Sequence, residues 1–167
     1  NRFAMPKDGK LKARKRIRNA VKAIIYRDGK LLVIRKQDTQ GAFAALPGGG
    51  QKKGETLVQA LKRECLEELG ARVKVGDLVY VRDYISANHA PYHPDMPLHK
   101  VEFYFLCEIK GKMDLGSGYR PDPAQQDVVW ADPSHLEALN FYPRVMRKIL
   151  TDLEAAAQSP VYLGDVN

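Results

Sequence analysis

Residues 49–71 read GGQKKGETLVQALKRECLEELGA, a glycine-rich turn that leads into an amphipathic segment. Apolar side chains recur every four residues through this segment, at Leu57, Leu61, Cys65 and Leu69. This spacing predicts a helix over residues 55–69, because it places the apolar side chains on one face. Thr56 is a suitable N-cap residue, and Gly70 is a suitable residue to end the helix.

The predicted helix carries three glutamates on one face. Glu64, Glu67 and Glu68 are spaced i, i+3 and i+4, so their carboxylates lie side by side. Like charges at this spacing repel and weaken a helix unless solvent screens them or a cation binds between them. Hard divalent ions such as Mg²⁺ prefer oxygen ligands. The sequence therefore predicts either a solvated acidic face or a metal site.

An arginine on the same helix is placed to hold the preceding loop. Arg63 lies eight residues after Glu55 and four residues before Glu67. A guanidinium at this position can form an ion pair with Glu55 and so fix the loop against the helix. Residues 48–50 are all glycine, so their backbone can approach the carboxylates or a ligand closely.

Residues 49–71 resemble the signature of the Nudix hydrolase family, G-x5-E-x7-R-E-U-x-E-E-x-G-U, in which U is a bulky aliphatic residue. The matching positions are Gly49, Glu55, Arg63, Glu64, Glu67, Glu68 and Gly70. Cys65 and Ala71 depart from the two aliphatic positions but are small and apolar, so they bear on core packing more than on metal chemistry. The resemblance implies an α/β/α sandwich with a mixed sheet.

The resemblance also implies a set of roles. Metal ligands would be the carboxylates of Glu64, Glu67 and Glu68 and the carbonyl of Gly49, which would hold Mg²⁺ or Mn²⁺. Glu55 and Arg63 would support the site, and a carboxylate would take a proton from the water that attacks a diphosphate linkage. The first candidates for this base are Glu67 and Glu68, and the alternatives are Asp122, Asp127 and Glu102.

Candidate substrate contacts lie outside the signature. Phe43 and Tyr84 are candidates to stack on a nucleobase, although core or rim packing is the more common role for such residues. Asp127 is a further candidate. Phosphate binding and surface solvation are both open for Arg82 and Lys100, and solvation is favoured. The histidines of the proline-rich residues 86–99 fit no standard zinc spacing, and a lid over the substrate is the preferred interpretation: His89, His93 and His99.

The rest of the chain predicts an α/β fold with a mixed sheet between helices. A β-hairpin is predicted from residues 19–26 and 30–36, joined at the Asp-Gly pair of residues 28–29. Further predicted strands cover residues 73–85, 100–109 and 128–131, and a C-terminal helix covers residues 134–157 with a bend near Pro143. Loops are predicted at residues 37–45, 86–99 and 111–126, and residues 162–165 are interpreted as a docked tail.

Charge is concentrated at the N-terminus. The net charge is +7, and residues 1–20 carry eight basic side chains and one acid. We therefore predict a basic, flexible leader over residues 1–18, with RNA or phosphate contact as the alternative to a solvated tail, and a single domain over residues 19–167. A hydrophobic content of 44% excludes a disordered chain, and no apolar run is long enough to span a membrane. Two cysteines favour a reduced, cytoplasmic protein.

Three functions remain open from the sequence. The first is hydrolysis of a diphosphate linkage in a nucleotide-like small molecule, such as a nucleoside triphosphate or a nucleotide sugar. The second is pyrophosphohydrolysis of RNA 5′ ends or dinucleoside polyphosphates. The third is a nucleotide sensor that does not cleave its ligand, which the complete glutamate set disfavours. ADP-ribose hydrolases of the family often carry a proline where this chain has Ser86, so that substrate is also disfavoured. Many members dimerise, and a homodimer is the corresponding expectation.

Overall fold

The computed structural model describes residues 16–90, 97–111 and 125–167. The strands are β1 (Arg18–Ile24), β2 (Tyr26–Arg27), β3 (Lys30–Asp38), β4 (Gly41–Ala45), β5 (Gly48–Gly50), β6 (Arg72–Ile85), β7 (His99–Lys110), β8 (Gln125–Ala131) and β9 (Tyr162–Asp165). The α-helices are α1 (Leu57–Leu69), α2 (Val145–Thr151) and α3 (Leu153–Ala156), and 3-10 helices cover Ser86–Asn88 and Pro133–Leu139. No helix in these ranges is long and apolar enough to cross a bilayer.

The strands form two sheets. The first has the order β5-β1-β7-β6-β9, in which β1 runs parallel to β7 and β6 runs parallel to β9. The second is built around β3, which pairs with β2, β4 and β8. The remaining pairs of the first sheet are antiparallel, so the sheet is mixed. The predicted α/β class with a mixed sheet is confirmed.

Local signals define helix α1. Thr56 and Gln59 form a reciprocal capping box, which satisfies two backbone N–H groups at the start of the helix. Gly70 ends the helix in the left-handed conformation with φ 65°. Cys65 and Ala71 are both buried in the core, where their small side chains pack against the sheet. The helix was predicted from residue 55 and begins at Leu57.

Apolar clusters fill both sides of β3. Leu32 and Ile34 pack with the buried face of α1, whereas Leu31 and Val33 pack with residues of α2 and the second 3-10 helix. Successive strand residues point to opposite faces, so an unbroken apolar strand of this kind requires cover on both sides. Helices therefore flank the sheets on both sides, as an α/β/α sandwich requires.

The predicted hairpin is wrong in its partner strand. The turn itself is present, since Asp28 and Gly29 adopt positive φ angles of 52° and 73°. Across it, however, Tyr26 and Arg27 pair with β3 and the Ile25 carbonyl accepts from the Leu32 N–H, while β1 pairs with β5 and with β7. An apolar run predicts a strand but not its neighbour, and the neighbour here comes from a distant part of the sequence.

Two further predictions need correction. Residues 37–45 were predicted as a loop, but β3 continues to Asp38 and β4 follows, because the two strands pair as a hairpin. The single helix predicted over residues 134–157 is divided into a 3-10 helix, α2 and α3. Asn140 ends the first of these in the left-handed conformation, with φ 51°.

Some predictions concern residues that lie partly outside the described ranges. Of the predicted loop at residues 111–126, residues 125–126 belong to β8, and residues 112–124 lie outside the described ranges. The docked tail is β9, which adds a strand to the first sheet. Residues 1–15 are also outside, so the leader over residues 1–18 and the domain over residues 19–167 remain predictions.

Candidate active site

Arg63 joins the glycine turn to helix α1. Its Nε lies 2.7 Å from Glu55 Oε2, and its Nη2 donates to Glu55 Oε1 at 2.8 Å and to the Gly50 carbonyl at 2.9 Å. This bidentate pair holds the pKa of Glu55 at about 2, mainly through the hydrogen bonds from Arg63. The loop that begins at β5 is therefore fixed to the helix.

The same guanidinium also contacts two of the three helix glutamates. Arg63 Nη1 donates to Glu64 Oε1 at 2.9 Å and to Glu67 Oε2 at 3.3 Å. Glu64 lies directly against the glycine turn, because a Cβ atom added at Gly49 would be 2.6 Å from its carboxylate. Glu64 therefore lies against the backbone of β5, and Glu67 is joined to the same guanidinium.

Glu68 occupies a different environment from its neighbours. It is 3% exposed, and its Oε1 accepts a hydrogen bond of 2.8 Å from the backbone N–H of Gly48. Burial raises the pKa of Glu68 to about 7, although Lys22 and the Gly48 N–H favour the charged form. Glu68 thus connects α1 to β5 through its hydrogen bond with Gly48.

The donor chemistry fits a hard divalent cation. Glu64, Glu67 and Glu68 offer carboxylate oxygens that line one cleft beside the glycine turn, and oxygen donors of this kind suit such an ion. As placed, Glu64 and Glu67 contact Arg63, and no group of three or more His, Cys, Asp or Glu side chains within residues 16–90, 97–111 and 125–167 forms a preassembled metal site.

A cleft of about 910 Å³ opens beside these carboxylates. It extends from β5 across the face of β1, β7 and β6, and Phe43 and Tyr84 both line it. Phe43 makes an edge-to-face contact with Tyr142 at a centroid distance of 6.4 Å, and Tyr84 stacks on His89 at 5.4 Å. The cleft therefore places the two predicted stacking residues in the same space as the glutamates.

The alternative base candidates are placed differently. Asp127 forms an exposed ion pair with Arg35, at 2.8 Å, and is not among the residues that line the cleft. Asp122 lies outside the described residues. Glu102 lines the cleft but is 1% exposed and accepts hydrogen bonds from Arg82 and Tyr104, which leave its carboxylate little freedom to take a proton from water.

A buried charge cluster surrounds Glu102. Arg82 Nε donates to Glu102 Oε1 at 2.6 Å, and Lys100 Nζ lies 3.3 Å from Glu102 Oε2. Burial alone would raise the pKa of Glu102, but Lys100, Lys22 and Arg82 outweigh it and keep the pKa well below the usual value. Burial lowers the pKa of Lys100 to about 8. Surface solvation, the favoured interpretation of Arg82, is wrong because this side chain is buried.

The C-terminal residues lie beside the cleft, and Asn167 lines it. Asp165 accepts hydrogen bonds from the backbone N–H of Ile85 at 2.9 Å and from Asn88 Nδ2 at 2.7 Å, and it lies 2.7 Å from His89 Nε2. The carbonyl of Val166 accepts a hydrogen bond from Arg82 Nη1. The described end of the predicted lid is thus attached to β9, while His93 lies outside the described residues.

Sequence reasoning did not identify several residues of this site. Lys22, Asn140 and Tyr142 line the cleft. One signal for Lys22 was present, since it is a charged residue inside the apolar strand β1. The alternation of a strand places Lys22 opposite to the buried Val21 and Ala23, on the face that forms the cleft.

The Arg63–Glu55 pair gives a pH-dependent contribution to stability. Because the folded pKa of Glu55 is lowered from 4.5 to about 2, the contribution is complete above pH 4.5 and is lost as the pH falls towards 2. We expect Glu55→Gln to lower the free energy of unfolding by about 1–2 kcal/mol at pH 7, after allowance for screening by solvent, and by much less near pH 2.5. Denaturant titrations of the wild type and the variant at both pH values measure this difference.

Glu108→Gln is the control, because Glu108 is an exposed glutamate on β7 away from the turn. Glu108→Gln should leave the free energy of unfolding close to that of the wild type at both pH values. A Glu55→Gln difference that is the same at pH 7 and pH 2.5 would show that the ion pair does not stabilise the fold.

Comparison with known proteins is consistent with this arrangement. The model of the NUDIX domain matches residues 16–153. The chain belongs to the Nudix family. The predicted Nudix-type pyrophosphohydrolase is thereby confirmed at the level of the family. Nucleoside triphosphatase NudI of Salmonella agona (strain SL483) is 39% identical over 126 residues, which are 72% of this Nudix chain and 86% of that relative.

Solved structures share the Nudix fold. A NUDIX hydrolase from Nitrosomonas europaea superposes with a TM-score of 0.69 at 19% identity, over 87% of this chain and 94% of that one. A MutT NUDIX hydrolase from Burkholderia pseudomallei superposes with a TM-score of 0.57 at 28% identity, over 71% of this chain and 85% of that one. The predicted Nudix-like α/β/α sandwich is therefore confirmed.

Proposed function

We propose that the protein hydrolyses a diphosphate linkage in a nucleoside diphosphate-type substrate, in the first place a nucleoside triphosphate, with the help of Mg²⁺ or Mn²⁺. The products from a triphosphate would be a nucleoside monophosphate and pyrophosphate. The observation that carries this proposal is the placement of Glu64, Glu67 and Glu68 along β5, at one end of a cleft with room for a nucleotide. The name of the relative NudI favours the triphosphate.

The roles follow from the contacts. Metal ligands would be Glu64, Glu67 and Glu68, with the carbonyl of Gly49 as a further oxygen ligand. The chemistry that Mg²⁺ or Mn²⁺ supplies when bound is neutralisation of the phosphate oxygens and a lower pKa of bound water. Arg63 and Glu55 would hold the turn in register with the helix, and Arg63 would in addition keep Glu64 and Glu67 directed towards the turn.

A carboxylate of helix α1 would take the proton from the attacking water. Glu67 and Glu68 are the candidates, since both face the cleft and neither is held by a salt bridge as extensive as that of Glu102. The aromatic rings of Phe43 and Tyr84 would contact the nucleobase, because stacking on an aromatic ring is favourable for every base. Asp127 is proposed for substrate binding with less support, since it pairs with Arg35 away from the cleft.

No contact among the described residues favours the alternative substrates or a dimer. RNA ends or dinucleoside polyphosphates would need the basic residues 1–18, most of which lie outside the described ranges. A homodimer and a cytoplasmic location also remain predictions. Nucleotide sensing without cleavage remains an alternative that the same experiment addresses.

The test is a substrate panel with product analysis by chromatography. Nucleoside triphosphates, nucleotide sugars, dinucleoside polyphosphates and triphosphorylated RNA are incubated with the protein and Mg²⁺ or Mn²⁺. We expect release of a nucleoside monophosphate and pyrophosphate from a triphosphate, and we expect a chelator to abolish the release because the phosphate charge is no longer neutralised.

Re-addition of the metal should restore activity and serves as the control for the chelator. Hydrolysis that continues at the same rate in excess chelator would contradict the metal dependence. Tight metal-dependent binding of a nucleotide, without cleavage of any panel member, would replace hydrolysis by sensing.

A further inference from the structure

Lys100 is the member of the buried charge cluster that a ligand in the cleft would meet. Arg82 and Glu102 are 3% and 1% exposed, and the guanidinium of Arg82 already donates to Glu102 and to the Val166 carbonyl. The side chain of Lys100, in contrast, is 28% exposed and lines the cleft. Among these three charged side chains, Lys100 is therefore the most accessible from the cleft.

The ammonium group is held in place rather than solvated freely. Its Nζ lies 3.3 Å from Glu102 Oε2 and 5.5 Å from the centre of the Tyr84 ring. Glu102 is itself fixed by Arg82 and Tyr104, so it cannot follow Lys100 into solvent. An ammonium group has three N–H donors and no acceptor, and Glu102 uses only part of this capacity. What Lys100 offers to a ligand is therefore a positioned donor.

The position of Lys100 in the sheet indicates which part of a nucleotide would reach it. Across the sheet, Gly50 pairs with Ala20 and Ala20 pairs with Glu102, so β7 lies two strands from β5, roughly 10 Å away. Lys100 lies two residues further along β7. In a nucleoside triphosphate the third phosphate directly adjoins the diphosphate, whereas the base is separated from it by the ribose. At this distance from the glutamates, Lys100 would therefore lie near the base rather than near the third phosphate.

The neighbour of Lys100 on the next strand also fits a base. Tyr84 pairs with Lys100 across β6 and β7 and lines the same cleft. An aromatic ring beside a directed hydrogen-bond donor is an arrangement that recognises flat heterocycles, since the ring accepts any base and the donor selects among them.

We propose that Lys100 reads the nucleobase by donating a hydrogen bond to an exocyclic carbonyl oxygen, so that the enzyme favours guanine and uracil over adenine. Guanine and the uracil-type bases carry a carbonyl acceptor at the edge where adenine carries an amino donor. Adenine would place its amino N–H groups towards the ammonium group, so neither donor gains an acceptor from the other. The inference rests on the proposed function and adds to it a residue that sets base preference.

The experiment compares kcat/KM for GTP, UTP and ATP in the wild type, Lys100→Met and Lys100→Arg. Methionine removes the donor at similar length, and Glu102 keeps its contacts with Arg82 and Tyr104. We expect the wild type to prefer GTP and UTP, and Lys100→Met to lose roughly 10–100-fold in kcat/KM for these two, mainly through KM. Activity on ATP should change less than about threefold. Lys100→Arg should recover part of the preference because it keeps a cationic donor.

Lys74→Met is the matched control, because Lys74 is an exposed strand lysine that lies opposite Glu108 on β7, outside the cleft. It should leave all three substrates unaffected, and thermal unfolding should show that both methionine variants are folded. An equal loss on all three bases, a larger loss for triphosphates than for the matching diphosphates, or no loss at all would each overturn base reading by Lys100.

Product binding separates this inference from the proposed function. Titration calorimetry with UMP, GMP and AMP needs no hydrolysis. Preferential binding of UMP and GMP that disappears in Lys100→Met would support the inference even if no triphosphate is cleaved. Equal binding of the three monophosphates by the wild type would overturn it even if triphosphates are cleaved.

Discussion

Glu67→Gln and Glu68→Gln are each expected to lower kcat by roughly 10²–10⁴-fold while the fold persists, because each removes a carboxylate and keeps the shape of the side chain. The helix should tolerate both changes. Arg63 retains Glu55, Glu64 and the Gly50 carbonyl when Glu67 is replaced, and a glutamine at position 68 can still accept from the Gly48 N–H. Steady-state kinetics with the best triphosphate, together with circular dichroism, measures both effects.

Metal titrations of the two variants distinguish the possible roles. Loss of a metal ligand raises the Mg²⁺ or Mn²⁺ concentration needed for half-maximal activity, whereas loss of the base lowers kcat even at saturating metal. Glu108→Gln, on the exposed side of β7, is the control and should retain full activity. A loss of less than about tenfold in both variants would contradict a role of these carboxylates in the chemical step.

Gly49→Ala should reduce activity by roughly 10²-fold without unfolding the protein, since a displacement of about 1 Å at a reacting centre is costly. A Cβ atom at this position would lie 2.6 Å from the Glu64 carboxylate, which must then move away from the turn. Gly49 does not adopt a positive φ, so alanine does not strain the backbone there. Kinetics and thermal unfolding of the variant measure the two parts of this prediction.

The adjacent glycines provide contrasting controls. The close contact of a Cβ atom at Gly50 would be with the end of the flexible Arg18 side chain, at 2.9 Å, so Gly50→Ala should be nearly neutral. At Gly48 it would lie 1.9 Å from the backbone oxygen of Val21, and φ is 141°, so Gly48→Ala should destabilise the fold. If Gly49→Ala has full activity, the Glu64 carboxylate does not need its position against the turn.

The parts of the fold that could be predicted from the sequence are those defined by nearby residues. Thr56, Gln59 and Gly70 specify the two ends of α1 without help from the rest of the chain. The Asp28-Gly29 turn is also local, and it is present as predicted. However, β1 pairs with β7 as well as with β5, and an apolar strand such as β1 is compatible with many neighbours. Pairing over such a separation depends on the packing of the whole sheet, which no local pattern reports.

The same distinction applies to the candidate site. The spacing of Arg63 relative to Glu55 predicted an ion pair between the helix and its turn, and this ion pair is present. Lys22 and Lys100 lie on strands far apart in the sequence, and the sheet brings them to one cleft. Side chains that converge from different strands leave no spacing pattern in the sequence, so the proximity of these two lysines is evident only in the folded sheet.

The parallel pairing of β1 with β7 has a consequence for how the protein assembles during synthesis. Helix α1 and β5 are complete once residue 70 has been made, but β1 obtains its second neighbour only when residues 99–110 have left the ribosome. Until then the glutamate helix rests on a sheet with an open edge, which is prone to incorrect pairing. Pairing between segments so distant in the sequence slows folding, so we expect this edge of the nascent sheet to stay open to incorrect pairing until β6 and β7 have been translated.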